Sequence, residues 1–245
     1  MNYSSDLIID SRERNSSNSI SSSNFNINLY SSISNIEKVR LNWVQIPNTF
    51  YNINTNNNIV SFTENSTLKT ATIPVGSYNA DELASELQSI LTTASGGYNT
   101  YTVSYNPQTF MFTFSANNAF QFNCSKSLFP YHELGFSNID TNSATNITSS
   151  YVISLEQPTE IIISINQFDK RIITSTSQFG ETFNIVNKAF IGELLFYEPD
   201  GGIIKDLFNV QTFNSLEIKL LDRYGNVLDL NGADWSMSLT CFNKV

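Results

Sequence analysis

The chain has 245 residues, a formal net charge of −9 and only 14% charged residues. That balance argues against a nucleic-acid groove, which needs clustered Lys and Arg to meet phosphates; in the first 22 residues Arg12 and Arg14 are offset by Asp6, Asp10 and Glu13. Folding a chain of this size buries roughly 70% of its extended surface, and 18 Phe with 11 Tyr favour sheets as the place to bury it.

In chain order, Leu7–Ile9 is a short apolar run that ends in the charged "DSRER", and the Ser- and Asn-rich segment from Asn15 to Asn24 reads as an extended or mobile arm. "NFNINLY" alternates at period two with Phe25, Ile27 and Leu29 on one face. "EKVRLNWVQI" puts Val39, Leu41 and Trp43 inward and loses register near Val44. The strand then stops at "IPNTFYNI": Pro47 ends ladder pairing, Asn48 and Asn52 are placed to bond the corner's backbone, and Phe50 and Tyr51 anchor the corner on the core or on an adjacent subunit. "NIVSF" predicts a further strand.

Character changes in the middle. Asn79 with Glu82 three residues on forms a capping box, and Leu83, Leu87, Ile90 and Leu91 follow at helical spacing up to Gly96-Gly97. "YTVSYNPQTFMFTFS" predicts a hairpin turning at Asn106-Pro107, with Phe110, Phe112 and Phe114 on one face. Ser137–Ser150 is a loop rich in Asn, Ser and Thr, after which "YVISLE", "EIIISINQF", "AFIGELLFYEP", "FNSLEIKLLDRYGNVLDL" and "WSMSLTCF" read as strands. "EIIISINQF" is apolar enough to be buried on both faces, and in "WSMSLTCF" Trp235, Met237, Leu239 and Cys241 alternate. About eight strands outside the insertion have the spacing of a sandwich. The expected division is an N-terminal arm at 1–23, a β domain at 24–65 and 141–245, and an inserted α+β domain at 66–140.

Chemistry is sparse. One histidine, His132, would have to serve any Ser-His-Asp or Cys-His arrangement, and Cys124, Cys241 and His132 lack zinc-site spacing. Asp222, Asp229 and Asp234 gather near the last turn and Glu156 and Glu160 flank a proline; turn capping explains them better than a glycosidase pair. A calcium ion held by Asp222, Asn226 and Asp229 is a weaker reading, because the loop lacks the D-x-D-x-D-G pattern. No catalytic, cofactor-binding or metal residues are assigned, and no enzyme is expected. Tyr51, Tyr78, Tyr98, Tyr101, Tyr131 and Tyr197 lie in or beside turns, where core and interface use outweighs sugar stacking. The unpaired spacing of the two cysteines predicts reduced, buried thiols and cytosolic assembly; neither a secretion signal nor a membrane span is expected.

"LIIDSRERN", "VRLNWVQIPNTFYNI", "TIPVGSYNADELASELQSIL", "YTVSYNPQTFMFTFS", "LGF" and "IKLLDRYGNVLDLNGADWSMSL" occur in that order. Together they resemble the penton and minor capsid proteins of virophages and of related polinton-like and giant viruses. The resemblance implies an all-β single eight-stranded jelly roll with a strand–helix–hairpin insertion. It further implies a virion protein, assembled in the host cytoplasm without cofactor. Five copies would plug the five-fold vertex among trimers of a double-jelly-roll major capsid protein, with a host receptor or other vertex proteins as further partners. A receptor- or glycan-binding viral fibre or spike head with the same sandwich is the alternative, and a carbohydrate-active enzyme using Asp222–Asp234 a distant third.

Overall fold

The computed structural model describes residues 4–168, 170–174 and 178–244. Contacts divide the chain into two compact units, Met1–Phe50 with Pro158–Val245 (unit 1) and Tyr51–Gln157 (unit 2). In chain order the elements are β1 (Ser4–Asp10) and β2 (Asn24–Pro47), then in unit 2 β3 (Ile59–Glu64), β4 (Thr67–Thr72), α1 (Ala80–Ser95), β5 (Tyr101–Asn106), β6 (Met111–Phe122) and β7 (Ala144–Thr148). Unit 1 resumes with β8 (Glu160–Ile165), β9 (Lys170–Ile173), β10 (Gln178–Glu181), β11 (Phe183–Val186), β12 (Leu194–Tyr197), β13 (Ile203–Leu221) and β14 (Ser236–Asn243).

Two long strands organise unit 1. β2 and β13 pair antiparallel, but their register slips between Lys38↔Asp206 and Asn28↔Ser215, and Asn35 takes φ 61° beside the slip. Bulges of this kind bend both strands, so the one seven-stranded sheet folds into two arms, the two sheets of the roll, each taking one half of β2 and of β13. One sheet runs β1–β14–second half of β2–β12 with the start of β13. The other runs first half of β2–end of β13–β8–β11. Numbered along the chain, the lanes lie 1–8–3–6 and 2–7–4–5, with 1:8, 2:7, 3:6 and 4:5 as antiparallel pairs. A ribbon of four such pairs wound about a core is a jelly roll. One continuous core joins Phe25 and Ile27 from one half of β2 to Val39, Leu41, Val44 and Ile46 from the other, as a sheet folded over on itself requires. β8 is buried on both faces, with Ile161, Ile163 and Ile165 inward and Ile162 and Ser164 also covered.

The N-terminal segment is not a free arm. β1 is an edge strand zipped to β14, and beyond it Trp235 donates through Nε1 to the Ser22 carbonyl and Asn15 N–H to that of Asn26; residues 1–3 lie outside the described residues. Its polar composition hides backbone groups with fixed partners. Trp43 is only half-buried, because a register shift opposite Asn42 turns it off the core and Val44 onto it.

Unit 2 is a sheet in the order β4–β3–β6–β5, with β7 also on β6, and α1 is part of its apolar core. The capping box at α1 is complete: Asn79 accepts from Glu82 N–H, Glu82 accepts from Asn79 N–H, and Gly96 closes the helix at φ 64°. Leu83, Leu87 and Leu91 are buried with Phe112, Phe114, Phe120 and Phe122. Unit 2 begins and ends outside the expected 66–140, since β3 pairs with β4 and β6 and therefore belongs here. Phe110 leaves the expected apolar face, sitting exposed at φ 57° in the turn before β6. The polar loop at 137–150 holds strand β7, whereas "YVISLE" joins no ladder.

Candidate functional site

The corner after β2 is held by hydrogen bonds at Asn48, Thr49 and Asn52. Asn48 donates from its backbone N–H to Glu193 O (2.8 Å) and from Nδ2 to Ala189 O (2.7 Å), and its carbonyl accepts from Gly192 N–H. Thr49 Oγ1 donates to Leu230 O (2.7 Å), while Asn231 Nδ2 donates to Thr49 O (2.6 Å). Phe50 is 3% exposed and lies in the unit 1 core with Leu228 and Leu230. Asn52, in unit 2, accepts from Tyr78 N–H and donates to the carbonyls of Tyr78 and Leu155. Asn48 and Asn52 thus bond distant segments, not the corner's own backbone as expected: both amides point across the chain to loops that sequence spacing cannot reveal. Of the two aromatics, Phe50 faces the core and Tyr51 is 40% exposed.

The outward face of the first sheet of unit 1 combines a polar ladder with apolar side chains. Thr240 Oγ1 donates to Asp6 (2.7 Å), Asn42 Nδ2 donates to Thr240 (3.0 Å) and Ser238 (3.1 Å), and Arg40 Nε donates to Asn42 Oδ1 (3.0 Å). Beside this row, period-two alternation sends Ile9 and Leu195 into the core and leaves Ile8, Leu194, Phe196 and Ile204 exposed on the same sheet. Phe190 and Ile191, in the loop before β12, are exposed as well.

The carboxylates do not converge. Asp222 accepts from the Tyr224 and Asn226 N–H groups and from Asn226 Nδ2, Asp229 accepts from Asn231 N–H, and Asp234 accepts from Ser11 and Arg14. Each caps its own turn or pairs with the N-terminal segment; of the three residues in the weaker calcium reading, Asp222 and Asn226 bond each other while Asp229 caps a different turn. Among the described residues no group of three His, Cys, Asp or Glu side chains is placed to hold a metal. His132 is exposed with its ring 4.3 Å from that of Tyr131. Cys124 is buried in unit 2 and Cys241 in unit 1, and neither is in a disulfide. Burial pushes their thiols up, to about 12 and about 11 respectively, with Asp140 and Asp6 adding to the effect. Tyr101, placed among the turn tyrosines by its sequence, is wholly buried.

Sequence reasoning overlooked Glu64. Its carboxylate has no solvent exposure and accepts from Ser95 Oγ (2.7 Å), Lys69 Nζ (2.8 Å), Asn99 Nδ2 (2.8 Å) and Tyr101 Oη (3.0 Å). Burial pushes this carboxyl up, but the hydrogen bonds from Lys69, Ser95, Asn99 and Tyr101 outweigh it and leave the pKa below that of an ordinary Glu. The signal was present: at period two, Glu64 shares the inward face of Val60 and Phe62.

No family model matches the sequence, and no curated protein does. The chain is similar over its full length to the penton protein of mavirus, solved as a selenomethionine-labelled crystal structure, at 10% sequence identity and a TM-score of 0.49, with all of that chain covered too.

Proposed function

We propose that the protein is a structural capsid subunit, a penton that forms a homopentamer at the five-fold vertex of an icosahedral virion. The observation that carries this reading is the pair of exposed apolar edges on one sheet of the roll, Leu194, Phe196 and Ile204 along β12 and the start of β13 and Ile8 on β1, with the polar ladder of Thr240, Asn42 and Arg40 between them. Fold alone does not supply function, but exposed apolar side chains flanking a polar row on a β roll suit a subunit contact, which mixes apolar and hydrogen-bonding groups. A closed ring sets such a face against a different face of the next copy. The ordered motifs that run the length of the chain support the same choice. Trimers of a double-jelly-roll major capsid protein would surround the plug, and assembly would take place in the host cytoplasm. Tyr51 is the exposed member of the corner pair and is assigned to the subunit contact; Phe50 stays with the core.

Five copies at −9 each carry −45, so the ring must separate its carboxylates or gather cations, and its stability should vary with ionic strength. Native mass spectrometry of the purified chain across a salt series tests both points. A pentamer whose fraction changes with salt is expected. Tyr51→Ala and Phe196→Asp should lower that fraction while leaving the thermal unfolding of the monomer within a few degrees of the parent. A trimer would favour a fibre or spike head, and a monomer at every concentration would end the penton reading.

A further inference from the structure

A groove on unit 2 is built from the turn at residues 131–138 and the extended segment at residues 151–154. Its volume is about 450 Å³, within the range of small-ligand clefts. Two backbone hydrogen bonds staple its walls, Tyr151 N–H to Gly135 O (2.9 Å) and Ser154 N–H to His132 O (3.2 Å). Gly135, at φ 73°, is what lets the walls close: a Cβ there would stand 2.3 Å from the Tyr151 carbonyl oxygen.

Three properties of the lining narrow the ligand. No Asp, Glu, Lys or Arg is among the lining residues, so the groove offers no permanently charged side chain to select an ionic ligand. Aromatic surface is on offer: Tyr151 is 59% exposed, and the Tyr131 and His132 rings sit together at 4.3 Å. The hydroxyls of Tyr131, Tyr151, Ser137 and Ser154, the Asn138 amide and the His132 imidazole have no hydrogen-bond partner among the described residues. These side chains are exposed or half-buried and meet water in the free protein, so a ligand can take up their donors and acceptors without breaking a bond within the chain. A ligand that suits them is uncharged, has an apolar face to lie on a ring and carries many hydroxyls.

We propose that this groove binds a neutral oligosaccharide, with the Tyr151 ring as stacking platform and Asn138 and Ser154 as hydrogen-bonding partners. The assignment rests on the groove and is independent of the capsid reading.

The test uses the full chain on a slide of immobilised neutral oligosaccharides, hexose and N-acetylhexosamine di- to tetrasaccharides, beside sialylated and sulfated ones. Binding to at least one neutral saccharide is expected. Tyr151→Ala should weaken it by about tenfold or more, the scale of losing one well-packed contact. Tyr98→Ala, an exposed tyrosine of unit 2 outside the groove, should bind like the parent. Asn138→Ala and Ser154→Ala leave the aromatic wall intact and decide the matter if Tyr151→Ala does not fold. The proposal is overturned by no neutral saccharide being retained, by retention of sialylated or sulfated saccharides alone, or by binding that survives these substitutions. Retention of a peptide in place of any saccharide overturns it too.

Discussion

Replacing Glu64 by Gln exchanges a carboxylate with four donors aimed at it for an amide that can accept at only one end. Lys69 and Ser95 address Oε1, while Asn99 and Tyr101 address Oε2. Whichever end becomes nitrogen faces a hydroxyl, which can turn to accept, and an N–H donor, Lys69 or Asn99, which cannot, so at least one hydrogen bond is lost and a second must be reversed. A buried donor left without an acceptor costs about 1–3 kcal/mol. Lys69 also loses its counter-charge, although its side chain is 24% exposed and water meets part of that cost. Together these give a destabilisation of about 3–5 kcal/mol, the range found when one partner of a buried pair is removed. Hydrogen exchange read by mass spectrometry in the full chain, on peptides from β3, β5 and the end of α1, resolves unit 2 from unit 1. A loss below about 1 kcal/mol would show that the network is ornamental and the reasoning mistaken. The pH dependence has a definite sign. Because the folded pKa lies below the ordinary Glu value, the stabilisation is complete above that ordinary value, near about 4.3, and is lost as pH falls through the folded one. Unit 2 of the parent should weaken from roughly pH 4.5 downward, and the Gln variant should show a shallower acid slope over the same interval.

Two further outcomes are expected. Native chain at pH 8 should leave both Cys124 and Cys241 unmodified by a thiol-specific disulfide reagent, since burial raises them to about 12 and about 11; denaturant should release both, and rapid native reaction would contradict the burial. Gly135→Ala should cost unit 2 at least about 2 kcal/mol, because a left-handed backbone and a buried collision coincide there. Thermal unfolding of the full chain measures it, and a shift within error would refute the close approach of Tyr151.

Local chemistry made much of the fold legible. The α1 box needed only Asn79 and Glu82 at the right spacing, and the β5–β6 pair only alternation and an Asn-Pro turn. Even the broken period near Val44 corresponds to a real register shift. What stayed hidden depends on partners far along the chain. Residues 11–23 read as an arm because Ser and Asn dominate, yet Trp235 and Asn26 fix their backbone. β7 was concealed by the same polar composition, and its ladder to β6 is set by a strand some thirty residues earlier. At the candidate sites, alternation could have assigned Leu194 and Phe196 outward once Leu195 was known to be inward. The groove at Tyr131 and Tyr151 could not be foreseen, because it exists only where two separate segments are stapled side by side.

The inserted unit is fastened at its seam from both directions. Within unit 1, Asn187 Nδ2 donates to Pro158 O (3.0 Å) and approaches Asn48 Oδ1 (3.4 Å), tying the last residues before the insertion to the first after it. Within unit 2, Asn52 spans to Leu155 and does the same for the opposite ends. Each unit therefore closes its own cut ends by side-chain amides and does not depend on the other to hold them together. Such a junction lets one module be exchanged for another while the remaining unit keeps both of its own ends closed.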